Sequence, residues 1–328
     1  MDVRPKKALG QHFLTDQAIA RAIVDSLSPA PRVLEVGPGM GVLTQYLLQR
    51  HLATKREEDS GKAELFPVFV PPTGTSERGG AGHPSALGVL LRSDKKILAS
   101  QAPLGSSGMP AGASGVQLKV VEIDTESVVY LREHYPALGP GLLEADFLKL
   151  PLNKVFAEPF SIIGNFPYNI SSQIFFHILD YRDLVPEVVC MIQKEVAERL
   201  AAGPGSKTYG ILSVLLQMWY DIEYRFTVGE GAFVPPPKVK SAVIRLTRNA
   251  RTEAGCDEAL LRRIVKATFN QRRKTIRNSL RSIGITASGL PFLDARPEQL
   301  SVEDFITLTR AVEAAGKKYY SSQIINQQ

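Results

Sequence analysis

Short apolar runs alternate along the chain with stretches whose apolar residues recur at helical spacing. A short apolar run predicts a buried strand, and a 3.6-residue spacing predicts an amphipathic helix. The predicted strands are residues 32–36, 119–123, 142–144, 160–163 and 187–192, and the predicted helices are residues 42–52, 125–134 and 171–179. Strands that alternate with helices form βαβ units, so this order predicts an α/β fold with a parallel sheet and helices on both faces.

The pattern changes after residue 210. A helix through Trp219 is followed by two strand-like stretches, 222–228 and 241–246, which an antiparallel hairpin at the end of the sheet would accommodate. From about residue 258 the strand patterns stop and helical patterns rich in Arg and Lys continue, which indicates a small helical domain. The predicted division is a larger α/β domain over 1–248, a small helical domain over 249–318 and a tail over 319–328.

Residues 56–118 do not follow this alternation. The segment is rich in Gly, Pro and Ser without sustained periodicity, so we predict a mostly disordered or loosely packed insertion in the α/β domain. Glu122 stands 83 residues after Gly39, and removal of the 64 residues 56–119 would leave 19. This agrees with nucleotide-binding βαβ units, in which the ribose-binding carboxylate lies about 20 residues beyond the glycines.

Composition narrows the class of protein. Of the 328 residues, 44% are hydrophobic and 22% are charged, as in an ordinary globular protein. The two cysteines form no CxxC pair, so we expect no metal site and a reducing compartment, the cytoplasm. We expect no secretory signal and no membrane span, because no apolar run reaches about 18 residues. The net charge of +6 suits a polyanionic partner, and we expect a monomer.

A glycine-rich loop follows the first predicted strand and opens a helix. Gly37 and Gly39 allow a sharp turn and the close approach of a ligand to the backbone. Val42 stands where a dinucleotide-binding GxGxxG motif has its third glycine, which argues against a nicotinamide cofactor. The chain has no GxxxxGK[ST] motif, which argues against a P-loop kinase or ATPase.

Two carboxylates follow the next two strands. Glu122 ends the second predicted strand and Asp146 follows the third, so both belong to the same sheet edge as Gly37. Ligands of open α/β sheets bind along that edge. Glu122 can accept both ribose hydroxyls of a nucleoside and Asp146 can accept the adenine amine, although either acid alone would equally fit a solvated loop. Together they indicate an adenosine pocket without a phosphate-binding device, which favours S-adenosylmethionine as the cofactor.

Asn165, Pro167 and Tyr168 follow the fourth strand in the sequence Asn-Phe-Pro-Tyr. The exocyclic amine of adenine is a poor nucleophile because its lone pair is delocalised into the ring. The Asn165 side-chain oxygen and the Pro167 carbonyl can accept its two N–H bonds, orient the lone pair and stabilise the developing positive charge. Tyr168 can stack on a base flipped out of its helix. Elsewhere these residues would indicate a β-turn with a surface tyrosine; at this sheet edge they predict an adenine methyltransferase.

The segment from 259 to 281 contains eight basic residues and no acidic one. A charge run is usually a solvated helix face, but like charges without compensating acids repel one another, which favours a polyanionic partner. We therefore predict RNA binding here, with further contacts from Lys238 and Lys240 near the active site. The basic residues are Arg262, Arg263, Lys266, Arg272, Arg273, Lys274, Arg277 and Arg281.

Eight motifs occur in order over residues 4–55 and 119–310. They are KALGQHFL (7–14), EVGPG (35–39), VEID (121–124), EAD (144–146), GNFPYNIS (164–171), QKE (193–195), FVPPPKVKS (233–241) and FNQRRKTIRNSL (269–280). With these motifs the chain resembles the ribosomal RNA adenine dimethyltransferase family, in particular its small-subunit, kasugamycin-sensitivity type. The resemblance implies a Rossmann-like S-adenosylmethionine-dependent methyltransferase. It also implies dimethylation of the N6 amines of two adjacent adenosines near the 3′ end of small-subunit (16S) rRNA.

The resemblance further implies that His12 and Leu14 contact the methionine part of the cofactor, through a segment that folds over the pocket. Many relatives have Asn at the position of His12. Phe233 matches an aromatic residue that sandwiches the target adenine against Tyr168, and its alternative is a core residue before a proline turn. The other predicted cofactor-binding residues are Gly37, Gly39, Glu122, Asp146 and Asn165, and the predicted RNA-binding residues are Arg272, Arg273, Lys274 and Arg277.

Two alternative functions stay open. Large-subunit rRNA adenine methyltransferases of the antibiotic-resistance type share the cofactor and Asn-Pro-Tyr motifs, although the match over 269–280 and the QKE motif argue against this type. A non-catalytic RNA-binding assembly factor could have kept the fold, although the intact Asn165 and cofactor residues argue against that reading.

Overall fold

A seven-stranded sheet forms the centre of the fold. The computed structural model describes residues 3, 5–6, 9–59, 117–286 and 289–325. The strands are β1 (Phe13–Leu14), β2 (Arg32–Val36), β3 (Gln117–Glu122), β4 (Leu142–Glu144), β5 (Ser161–Asn165), β6 (Glu187–Gln193), β7 (Tyr220–Val228), β8 (Phe233–Val234) and β9 (Ser241–Arg248). The helices are α1 (Gln17–Asp25), α2 (Thr44–Asp59), α3 (Thr125–His134), α4 (Leu152–Val155), α5 (Ser171–Asp180), α6 (Lys194–Ala201), α7 (Ile211–Gln217), α8 (Glu258–Asn270), α9 (Ile276–Arg281) and α10 (Val302–Ile325).

The strand order across the sheet is β4-β3-β2-β5-β6-β9-β7. Neighbouring strands from β4 to β6 are parallel, whereas β9 is antiparallel to both β6 and β7. The predicted α/β fold with a terminal antiparallel hairpin is therefore confirmed. The sheet is mixed, because β9 lies between β6 and β7. Strands β1 and β8 form a separate two-stranded ladder.

Alternate residues of the central strands face two hydrophobic cores. In β5, Ile162 belongs to one core and Ile163 to the other, and in β6 the same holds for Cys190 and Met191. Successive side chains of a strand point to opposite faces, so helices must cover both faces. The middle residues of such strands are mostly apolar on both faces, which is why short apolar runs are enough to predict them.

The regular backbone extends into both edges of the predicted insertion. Helix α2 continues to Asp59 and β3 begins at Gln117, so regular backbone overlaps both ends of the segment 56–118, whose limits as an insertion stay a prediction. The order of residues 60–116 lies outside the described residues. The insertion leaves the sheet register intact, since β3 pairs with β2 in parallel, with Val121 opposite Val36.

The C-terminal helices share a hydrophobic core with the sheet. Leu261 and Ile264 of α8 belong to the same buried cluster as Trp219, and the sheet and these helices form one compact unit. The domain boundary at residue 248 stays a prediction. Helix α10 runs to Ile325, so the backbone of the predicted tail is helical up to that residue. Within the described ranges, no helix is long and apolar enough to cross a membrane.

Candidate active site

A cavity of about 600 Å³ lies at the carboxyl ends of β2, β3 and β5. Its size is within the range of roughly 300–1,000 Å³ usual for small-molecule sites. Residues 9–15, called here the N-terminal strap, line one side of it. The cavity brings together nearly all the predicted cofactor and catalytic residues: His12, Leu14, Gly37, Gly39, Glu122, Asp146, Asn165, Pro167 and Tyr168.

The glycine-rich loop forms the floor of this cavity. Gly37 and Gly39 have φ values of 68° and 56°, which side chains rarely tolerate. A Cβ atom on Gly39 would lie 3.0 Å from the Phe13 ring, so the strap packs directly on the loop. Glycine at these positions therefore exposes backbone to the cavity and leaves room for the strap.

Glu122 is buried at the end of β3 and already accepts several hydrogen bonds. Its Oε1 accepts from the backbone N–H groups of Ile123 and Asp124, both at 2.9 Å, and its Oε2 accepts from Gly39 N–H at 3.1 Å. Burial raises the pKa of this carboxyl. A carboxylate has about four acceptor positions, so one remains for a ligand. Glu122 can thus accept a hydrogen bond from one ribose hydroxyl directly. A second hydroxyl would have to replace one of the hydrogen bonds that the backbone N–H groups donate to this carboxylate.

Asp146 holds the loop after β4 and borders the same cavity. Its Oδ1 accepts the N–H of Leu148 at 3.0 Å, and its Oδ2 lies 3.2 Å from Lys149 Nζ. Beside it, Leu148 and Ile123 line the cavity with apolar surface, and Ile123 is 52% exposed. An exposed isoleucine between two acidic residues provides the apolar wall that a flat adenine ring requires. Sequence reasoning missed both apolar residues, although each stands within two positions of a predicted carboxylate.

Glu35 is a further cavity residue that the sequence analysis did not single out. It is buried in β2, its Oε2 accepts from Thr44 Oγ1 at 2.6 Å, and its Oε1 has no hydrogen-bond partner within the described part of the chain. Burial raises its pKa from 4.5 to about 8. The available signal was an acid between apolar residues, Leu34 and Val36, in a predicted buried strand. At neutral pH this carboxyl is therefore largely protonated.

Asn165 ends β5 with its side-chain amide held in one orientation. Its Nδ2 donates to the main-chain carbonyl of His12 at 3.1 Å, which leaves Oδ1 available as an acceptor. The Pro167 carbonyl accepts from Ile170 N–H at 3.2 Å and keeps its second lone pair. Two acceptors are thus present at this position, as an exocyclic amine with two N–H groups requires.

Tyr168 is fixed at both ends of its side chain. Its hydroxyl forms a hydrogen bond with Ser241 Oγ at 2.5 Å, and its ring stacks on the His12 imidazole with centroids 5.4 Å apart and planes at 26°. Burial raises the pKa of Tyr168, so the phenol is neutral at physiological pH. His12 Nδ1 in turn donates to the carbonyl of Pro235 at 2.9 Å.

The N-terminal strap is attached on both sides of the cavity. On one side β1 pairs with β8, with Leu14 opposite Phe233. On the other, Gln11 Nε2 donates to Asp124 at 3.5 Å, and Lys6, just before the strap, forms an ion pair with the same carboxylate. The strap therefore connects the β3 end of the sheet to the region before β9.

Phe233 is the predicted catalytic residue that the structure does not bring into the cavity. Its side chain is only 2% exposed and belongs to the core cluster that contains Leu14, Met191 and Val243. This burial agrees with the alternative interpretation of Phe233, which is a core residue before a proline turn. Its contact with a substrate base stays a prediction, and His12 covers Tyr168 instead.

In the folded protein, some of the basic residues in the segment from 259 to 281 have internal partners. Arg277 pairs with Asp294 at 2.9 Å, and Arg272 donates to the carbonyl of Ser206 at 3.1 Å. Arg273 and Lys274 are exposed. Among the predicted RNA-binding residues these two present the most accessible charge.

The geometry defines a class of enzyme. A Rossmann-like sheet with β9 inserted antiparallel near one edge carries a pocket for an adenosine-containing cofactor, and two amine acceptors follow β5. The glycine loop that lines the cavity, the buried Glu122 and the apolar wall at Ile123 fit S-adenosylmethionine. The chain is an S-adenosylmethionine-dependent methyltransferase.

Comparison with known proteins identifies the family. The family model described as ribosomal RNA adenine dimethylase matches residues 3–59 and 114–308, and the chain belongs to this family. A ribosomal RNA small subunit methyltransferase A from Phocaeicola vulgatus is 50% identical over 321 residues, which cover 96% of this chain and 92% of the relative. One from Porphyromonas gingivalis is 46% identical over 316 residues, covering 94% of this chain and 98% of the relative.

Solved structures share the fold. A dimethyladenosine transferase from Plasmodium falciparum superimposes with a TM-score of 0.62 at 19% identity, over 93% of this chain and 98% of that one. The 23S rRNA methyltransferase ErmE superimposes with a TM-score of 0.53 at 22% identity, over 91% of this chain and 99% of that one. At these identities the likeness concerns the fold alone.

Proposed function

We propose that this chain dimethylates the N6 amines of two adjacent adenosines near the 3′ end of 16S rRNA, in immature small ribosomal subunits. The observation that carries the proposal is the Asn165 amide, whose Nδ2 is bound by the His12 carbonyl so that Oδ1 faces no competing donor within the described residues. The relatives at 46–50% identity are named as small-subunit methyltransferases, which supports the choice of subunit.

The residues of the cavity divide into two groups. The backbone of Gly37 and Gly39 with the carboxylates of Glu122 and Asp146 would hold the cofactor, under the strap residues His12 and Leu14. S-adenosylmethionine, when bound, supplies an electrophilic methyl group on a sulfonium.

The second group acts on the target base. Asn165 Oδ1 and the Pro167 carbonyl accept the two N–H bonds of the adenine amine, which directs the nitrogen lone pair and stabilises the positive charge that grows during transfer. Tyr168 provides a ring for stacking, worth about 1–3 kcal/mol per base. These groups position the amine and need form no covalent intermediate.

The C-terminal helices supply the RNA-binding surface of the proposal. Exposed Arg273 and Lys274 can contact phosphates, and Arg272 and Arg277 can join them if RNA replaces their internal partners. We assign this role to the helical domain 249–318 and take the chain to act as a monomer in the cytoplasm.

Methyl transfer to unmethylated small subunits tests the proposal. Asn165→Ala should lower kcat roughly 100-fold or more, because one of the acceptors that stabilise the transition state is lost. Subunit binding should stay within about twofold of wild type, because the affinity comes mainly from phosphate contacts. Asn153→Ala, an exposed asparagine on α4, is the matched control and should keep full activity.

Two results would contradict the proposal. Equal activity of wild type and Asn165→Ala would remove the assigned role of Asn165. Methyl label that enters large subunits instead of small ones would favour the large-subunit alternative, which shares the fold.

A further inference from the structure

One face of Tyr168, the ring on which the proposed function stacks the target base, is already covered by another ring. The His12 imidazole stacks on Tyr168 with centroids 5.4 Å apart and an interplanar angle of 26°, a separation typical of rings in direct contact. Both rings line the cavity. A third ring cannot fit between two rings that already touch, so a base that stacks on this face must displace the imidazole.

The main chain and the side chain of His12 are held by different partners. The main-chain carbonyl accepts the Asn165 amide at 3.1 Å, whereas the ring Nδ1 donates to the Pro235 carbonyl at 2.9 Å. The ring can therefore turn away while the carbonyl continues to orient Asn165.

The contact that retains the imidazole is readily exchanged. Its partner is a neutral main-chain carbonyl rather than a buried carboxylate, and the neighbouring Val234 is 58% exposed. Water can replace this hydrogen bond when the ring leaves, so the bond opposes displacement only weakly. A base that stacks on Tyr168 replaces the stacking contact that the imidazole loses.

We infer that the His12 side chain is a placeholder on Tyr168, which occupies the acceptor-base position until the target adenine displaces it. This inference rests on the proposed function and makes His12 a residue that tunes base binding in addition to its strap position. The side chain competes with the substrate, whereas the main chain of the same residue assists it.

The test compares side chains of different stacking strength at this position. His12→Ala and His12→Asn remove the competing ring, and His12→Trp enlarges it. With unmethylated small subunits, the first two variants should raise kcat/KM, mainly through a lower KM, by roughly three- to tenfold, the range that one ring contact and one neutral hydrogen bond allow. His12→Trp should lower kcat/KM by a similar factor.

Two controls isolate the effect. His134→Ala removes another imidazole that stacks on a tyrosine, Tyr130, at 3.9 Å, and should leave kcat/KM within about twofold of wild type. Calorimetry with S-adenosylhomocysteine measures separately how each His12 substitution changes cofactor affinity, and kcat/KM for the subunits is compared at saturating S-adenosylmethionine. In a Tyr168→Ala background the His12 substitutions should have no effect, because the two rings act as one unit.

The outcomes separate the competing explanations. If His12→Trp is at least as active as wild type and His12→Ala is less active, the imidazole stacks on the bound base and supports it. That result would overturn the placeholder role. Equal losses in all His12 variants would mark a purely structural side chain and would also overturn it. A wild-type protein that transfers no methyl group to small subunits would overturn the proposed function and the placeholder with it.

Discussion

Asn165 illustrates how one main-chain atom can decide the chemistry of a side chain. An amide has a donor end and an acceptor end, and adenine's amine needs the acceptor. The carbonyl of His12 binds the donor end at 3.1 Å, so the oxygen is the end that remains for a ligand. The catalytic asparagine is thus oriented before RNA binds, by a residue 153 positions away in the sequence.

Glu35 makes the stability of the protein depend on pH. Its native pKa is about 8 because it is buried, against an ordinary value of 4.5 in an unfolded chain. Above pH 4.5 the unfolded chain releases this proton while the native protein keeps it, so the free energy of unfolding falls until the pH reaches about 8. Glu35→Gln removes this titration. The stability of Glu35→Gln relative to wild type should therefore rise between pH 5 and 8, by about 1–3 kcal/mol.

Urea unfolding at several pH values measures this difference. Glu133→Gln, at an exposed position on α3, is the control for the loss of a carboxylate as such. A constant difference between Glu35→Gln and wild type across the range would show that Glu35 is ionised in the native protein.

At the scale of the elements, the active-site loop depends on how closely two strands approach. A Cβ atom on Gly164 of β5 would lie 2.4 Å from the carbonyl oxygen of Val36, at the end of β2. Backbone cannot give way as a flexible side chain can, so Gly164→Ala should destabilise the protein by about 1–3 kcal/mol. It should also reduce methyl transfer, because Asn165 is the next residue.

Thermal unfolding tests this prediction. Gly203→Ala is the matched control, because nothing lies within 4 Å of a Cβ atom at that exposed position. Its Tm should equal or slightly exceed that of wild type. Equal Tm values for both variants would mean that the two strands separate at little cost.

The apolar runs were sufficient to predict the parallel strands, because strands buried on both faces leave a local pattern. They gave no sign of β1 and β8, which are only two residues long and depend on pairing between distant parts of the chain. The extension of α2 was missed for a related reason. The residues from 53 to 59 are mostly polar and carry no helical apolar pattern.

The features of the active site also divide into those that the sequence predicts and those that it does not. Gly37, Glu122 and Asn165 were predictable because each follows a strand, and strand ends in a parallel sheet meet along one edge. The contact between His12 and Tyr168 was not predictable, since it depends on where the strap crosses the cavity. For Phe233 the sequence left a base contact and a core position open, because a motif fixes the identity of a residue and not the direction of its side chain.

For the whole molecule, the distribution of charge matters more than the net value of +6. The basic run contains no acid, but folding brings acids from other segments to it, among them Asp294 beside Arg277. Exposed Arg273 and Lys274 should therefore contribute most to RNA binding. Replacement of both by Ala should lower the slope of log K against log salt concentration by roughly 1.4–1.8.

Binding of small subunits at several salt concentrations measures this slope. Arg277→Ala should change it less than Arg273→Ala, because Asp294 already offsets the charge of Arg277. Unchanged slopes in the Arg273 and Lys274 variants would place the RNA-binding surface elsewhere.

The attachment of the strap has a consequence for the synthesis of the chain. His12 is held by Pro235, a residue 223 positions later, and Leu14 pairs with Phe233. During synthesis the strap must therefore wait for residues more than 200 positions later before it finds these partners. Until then the glycine loop and Asn165 lack their cover, so a nascent or truncated chain that ends before β8 carries an open cofactor cleft. The active site is thus completed only after β8 has been synthesised.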